Sequence, residues 1–83
     1  MDEAQIYARL AAVFEDVLDQ ESVDVRPDAV ISDMDGWDSL TNIRLTLTIE
    51  KVFNIKSLSS EMDKLQSVGD LVAVVKARTE NRA

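Results

Sequence analysis

Residues 38–53 read DSLTNIRLTLTIEKVF, and the fold turns on whether this stretch is a strand or a helix. Its middle, IRLTLTI at 43–49, alternates apolar and polar residues as a half-buried strand does, and its residue types favour that state. The same apolar residues also satisfy helical spacing. Leu40, Ile43, Leu47 and Glu50 fall along one face, while Leu45, Ile49, Val52 and Phe53 fall along another. Asp38 and Ser39, both good N-cap types, lead into the stretch. Cap and spacing together decide for a helix from Asp38 or Ser39 to about Phe53. At ~1.5 Å per residue it is roughly 22 Å long.

Upstream, Ala4 to about Asp19 places Ile6, Leu10, Val13, Phe14, Val17 and Leu18 on one side of a second amphipathic helix. Between the two lies ESVDVRPDAVISDMDGW, residues 21–37, with the only proline and several turn formers. It reads as a long ordered loop, because Val25, Ala29, Val30, Ile31 and Met34 need something to pack on. Downstream, Leu58, Met62 and Leu65 anchor a short helix near Ser60 to Lys64. Ser67-Val-Gly-Asp70 is a capping-box-like start for a last helix with Val68, Leu71, Val72 and Val75 buried. Lys76 and Arg78 suit its C-terminal end. The expected fold is all-α: a bundle of three longer helices and one short one, with a long first crossover. The 83 residues make a single domain, 1–83, with a core of about 4–78 and a tail, 79–83, that frays.

Composition removes most catalytic chemistries. With neither histidine nor cysteine, the usual general base, the thiolate nucleophile and the common zinc ligands are missing. Two glycines cannot build a phosphate-cradling loop. An enzyme with its own active site is not expected. The acidic, polar start and the lack of a ~20-residue apolar run argue against a signal peptide, a membrane span or a membrane partner, leaving a cytoplasmic protein. Net charge is −7, and it is divided unevenly. Residues 1–38 hold eleven acids and two bases, whereas 39–83 hold five acids and seven bases. Phosphate backbones repel such a domain, so nucleic acid is not an expected partner.

The aspartate-rich DMDGWDSL, residues 33–40, admits three readings. As a calcium loop it fails. Setting Gly36 on the invariant glycine puts Ile31 at the first ligand position and Asn42 at the twelfth, so no metal site is expected. As a purely structural feature, Asp38 or Ser39 caps the helix, Gly36 makes the turn, and Trp37 and Leu40 pack in the core. As a modification site, Ser39 stands at a helix N-terminus, where free N–H groups and the helix dipole stabilise an attached phosphodiester.

GWDSLTNIRLTLTIEKVFNI, residues 36–55, resembles the signature of the acyl carrier protein family, the phosphopantetheine-dependent carriers. Asp38-Ser39-Leu40 matches the family tripeptide, and Glu50, Phe53 and Ile55 match the pattern that follows. LQSVGDLVAVV, residues 65–75, is similar to the family's last helix. The resemblance implies that Ser39 receives 4′-phosphopantetheine from coenzyme A through a phosphopantetheinyl transferase, and that the arm's thiol holds an acyl or aminoacyl cargo as a thioester. It gives Asp38 a part in presenting the site and makes Leu40 a contact for the transferase and other partners. A loading ligase and a downstream transferase complete the implied partners of a monomeric carrier. Two departures from the pattern matter. Lys51 replaces the second member of an acidic pair, and the positions expected to be exposed after Leu40 are Thr41, Asn42, Arg44, Thr46 and Thr48. Fatty-acid-synthesis members of the family dock a strongly acidic second helix onto basic patches. A specialised carrier of a small polar or aminoacyl cargo is therefore expected over one for general fatty-acid synthesis. The alternative is a small acidic helical module that is never modified.

Overall fold

The computed structural model describes residues 2–23, 25–34, 36–56 and 58–80. Asp35 of the aspartate-rich stretch and 81–83 of the tail lie outside the described residues. Four α-helices are present among the described residues: α1 over Glu3–Leu18, α2 over Ser39–Phe53, α3 over Ser59–Met62 and α4 over Val68–Glu80. The strand reading of 43–49 is thus set aside. The two threonines that suggested it donate their hydroxyls back to the helix, Thr46 to the Asn42 carbonyl at 2.8 Å and Thr48 to the Arg44 carbonyl at 2.7 Å. That local bond lets a β-branched polar residue sit inside a helix.

Each long helix starts on a side-chain cap. Asp2 accepts from the Gln5 N–H while the Gln5 side chain accepts from the Asp2 N–H, a reciprocal box at the head of α1. Ser67 and Asp70 make the expected counterpart at α4. α1 and α2 both end on a left-handed residue, Asp19 and Asn54. α4 continues through Thr79 and Glu80, with the Thr79 hydroxyl donating to the Lys76 carbonyl.

The core draws on every helix. Ile6, Leu10 and Phe14 of α1 meet Leu45, Ile49 and Phe53 of α2, and Leu71, Val72 and Val75 of α4 close the third side, all buried. Leu58 and Met62 bring α3 onto this centre. The long crossover is ordered by the start of α4 rather than by its own secondary structure. Val30 bridges Ser67, the Ile31 N–H donates to the Gln66 carbonyl, and the Val68 and Gly69 N–H groups donate to the Ala29 and Pro27 carbonyls. Gly69 permits this approach, since a Cβ there would lie 2.9 Å from the Pro27 carbonyl oxygen. A 3₁₀ turn over Ile31–Asp33 follows, burying Ile31. Gly36, at φ +83°, then reverses the chain into α2.

Candidate functional site

The mouth of α2 is where loop, turn and helix meet. Asp38, in extended backbone, is the N-cap, and its carboxylate accepts from the Thr41 N–H at 2.7 Å. The Thr41 hydroxyl reaches back to the Gly36 carbonyl at 3.3 Å, tying the turn to the helix. The Thr41 N–H and hydroxyl hold the Asp38 carboxyl below its usual range, helped by the Leu40 N–H and by the Arg44 charge and opposed by desolvation. Of the two residues that could cap α2, Asp38 does so, and Ser39 is the first helical residue.

Ser39 is therefore free. Its side chain is exposed, and its hydroxyl makes no hydrogen bond among the described residues. Because Asp38 already answers the Thr41 N–H, a phosphodiester on Ser39 would meet fewer open donors than the sequence suggests.

Of the two readings of Leu40, its 64 % exposure favours a surface contact over core packing. Thr41 and Thr46, expected on the surface, are buried, each held by its hydroxyl bond to a backbone carbonyl. Trp37 is half-buried against the edge of the core and walls the site. Glu50, the retained acid of the family pair, serves the fold: its carboxylate accepts from the Leu58 N–H at 2.9 Å, joining α2 to the start of α3. The exposed face of α2 is consequently apolar and basic, with Leu40, Ile43 and Leu47 standing out beside Arg44 and Lys51.

Sequence reasoning missed the open trough that begins at Ser39. Its first part, about 580 Å³, is walled by Trp37, Ser39, Asn42, Ile43, Met62 and Leu65, among others. A second part, about 310 Å³, shares Asn42, Ile43 and Met62 and runs on between α2 and α3 to Thr46, Glu50, Ser59 and Asp63. It lies between α2 and the short α3, a juxtaposition that helical periodicity alone does not reveal.

The arrangement is an exposed, unbonded hydroxyl on a capped helix, beside an open trough. The family model described as "Phosphopantetheine attachment site" matches residues 8–75. Similar proteins include the acyl carrier proteins of Akkermansia muciniphila, 35 % identical over 90 % of this chain and 94 % of that protein, and of Campylobacter hominis, 37 % identical over 84 % and 98 %. Among solved structures, holo acyl carrier protein from Geobacter metallireducens superposes with a TM-score of 0.79 at 30 % identity, covering 93 % of each chain. The chain belongs to the acyl carrier protein family. As a member it is a non-catalytic carrier with covalently attached 4′-phosphopantetheine, and its partners include a phosphopantetheinyl transferase and acyl-handling enzymes. The site suits that group, since it pairs an exposed, unbonded hydroxyl with adjoining space.

Proposed function

We propose that Ser39 is the attachment point and that the chain is a specialised stand-alone carrier, of an aminoacyl group ahead of a fatty acyl one. In this reading it acts as a cytoplasmic monomer, loaded by a dedicated ligase and unloaded by a downstream transferase. The observation that carries the attachment is the division of labour at α2, where Asp38 caps and leaves the Ser39 hydroxyl uncommitted. Ser39 Oγ attacks the phosphorus of coenzyme A that bears the pantetheine. A phosphodiester bond to serine forms, the bond to 3′,5′-ADP breaks, and the hydroxyl proton passes to a base of the transferase. The bound group supplies a terminal thiol on a flexible arm. Asp38 fixes the helix start under the site, and Leu40, exposed beside it, offers the transferase an apolar contact.

Specialisation is supported by the charge of the face next to Ser39. Arg44 and Lys51 are exposed there, and Glu50 is engaged with Leu58. A basic docking patch would be repelled rather than attracted.

A cysteine-free chain makes the test simple. Incubation with coenzyme A and a broad-specificity phosphopantetheinyl transferase will raise the titratable thiol of the repurified protein from none to one per chain. Ser39→Ala will stay at none. A thiol appearing equally on Ser39→Ala would refute the assignment.

A further inference from the structure

Away from the trough, a second concavity opens along the seam between α1 and α2. It measures about 220 Å³ and is lined by Arg9, Ala12, Val13 and Asp16 of α1 and by Thr48 and Val52 of α2. These residues recur at three, four and seven positions on α1 and at four on α2, so each helix presents one continuous edge. Val13 is buried, Ala12 is exposed but small, and Val52 is 38 % exposed. The Thr48 hydroxyl donates to the Arg44 carbonyl at 2.7 Å, so that donor is already satisfied within its own helix. The result is an apolar cleft at the surface. An apolar cavity of roughly 150 Å³ admits a benzene-sized group, so this one has room for a large side chain.

The rim of the cleft is basic although the chain is acidic. Arg9 is part of the lining, Arg44 lies one turn before Thr48 and two before Val52 on the same edge of α2, and Lys51 adjoins that edge. All three are exposed, and none makes an ion pair with a described residue. Asp16 is the single acid in the lining. The net charge of −7 opposes an acidic partner at a distance. At physiological ionic strength, charges more than about 8 Å apart are largely screened, so on contact the rim decides. Ser39 precedes Thr48 by nine residues of α2, about 14 Å along the helix. The cleft shares no lining residue with the space beside Ser39.

We propose that the α1–α2 seam is a docking surface for an acidic amphipathic helix of a partner protein, which places one large apolar side chain in the cleft and carboxylates against Arg9, Arg44 and Lys51. A helix suits the seam because a furrow between two helices accepts anchors that recur every three or four residues. Carboxylates one turn to either side of the apolar anchor reach the bases on the rim. Docking here does not depend on attachment at Ser39. It holds a partner beside the carrier while the serine stays open to another.

The test uses the full chain, isotopically labelled, and a pair of synthetic helical peptides with the same leucine pattern, flanked by glutamates in one and by lysines in the other. The glutamate peptide shifts the Ala12, Val13, Thr48 and Val52 resonances saturably, and the lysine peptide does not. Val52→Glu, which puts an unpaired carboxylate in the cleft, weakens the glutamate peptide at least about tenfold. Arg9→Glu, on an exposed side chain, weakens it about fivefold, the scale of a reversed rim charge. Backbone spectra verify the fold of both variants, and Arg9→Glu decides alone if Val52→Glu does not fold. Equal responses to the two peptides, the lack of a saturable shift, or shifts centred on Leu40, Ile43 and Leu47 overturn the inference. So do affinities that neither substitution moves. Seam shifts that grow with protein concentration alone would make a second copy the occupant and overturn it as well. Intact mass after coenzyme A and the transferase reads attachment at Ser39 separately, so the two can fail independently.

Discussion

Asp38 and Ser39 divide the mouth of α2 between them: the Asp38 carboxylate takes the Thr41 N–H at 2.7 Å, and the Ser39 hydroxyl, one residue on, is left exposed and unbonded. Capping, which the sequence allows to either residue, falls to Asp38, and the hydroxyl proposed for modification is left uncommitted. The site then needs no rearrangement of the helix start to be modified.

The cap titrates with a definite sign. Its folded-state pKa is lowered, first by the Thr41 N–H. Its contribution to stability is therefore complete above the unfolded value, about 3.9, and is lost as pH falls through the lower folded value. Thermal melts of wild type and Asp38→Asn will differ by a constant few degrees at neutral pH. The two curves will converge in acid, below about pH 4.

Neighbouring leucines of α2 should respond oppositely to truncation. Leu45 is fully buried and Leu47 is 61 % exposed. Leu45→Ala will cost about 2–5 kcal/mol of unfolding free energy. Leu47→Ala will stay within about 0.5 kcal/mol, the usual range for a surface position. Denaturant titration of both variants checks the pair, and equal losses would mean the face assignment of α2 is wrong.

Glu50 links α2 to α3 through the Leu58 N–H. Glu50→Ala leaves that donor without its partner and will cost about 1–3 kcal/mol. Glu50→Gln, which keeps an accepting oxygen, will lose less. The same titration separates them.

Gly69 is required by contact rather than by torsion. A methyl group there meets the Pro27 backbone oxygen, so Gly69→Ala must push the crossover away from α4. The cost will be about 1–3 kcal/mol, as for other overpacked sites. Amide exchange will rise at Ile31 and Val68, whose N–H groups stitch the crossover to the start of α4.

The polarity of α2 should govern partner choice. Arg44→Glu combined with Lys51→Glu will raise kcat/KM at least about tenfold, or ~1.4 kcal/mol, for a malonyl transferase of bacterial fatty-acid synthesis acting on the arm-bearing protein. The gain will shrink with added salt. An unchanged value would show that this face does not select partners by charge.

Much of this was legible before any coordinates. Caps and apolar spacing located α1, α2 and α4, and the Asp38-Ser39-Leu40 tripeptide located the candidate serine. What escaped depends on contacts between distant segments. The sequence left Leu40 open between core and contact and put Thr41 and Thr46 outside, but burial on α2 follows where α1 and α3 pack, and hydroxyl bonds to Gly36 and Asn42 let both threonines turn inward. The Val30–Ser67 bridge, the Gly69 approach to Pro27 and the trough likewise join residues far apart in sequence, and no local signal announces them.

Peptide-level mass spectrometry tests the central claim most directly. After treatment with coenzyme A and the transferase, the peptide spanning Ser39 is predicted to carry one phosphopantetheine, bound to that residue, at a stoichiometry approaching one per chain. A correctly folded protein whose Ser39 peptide remains unmodified, or one modified at another residue, would contradict the account.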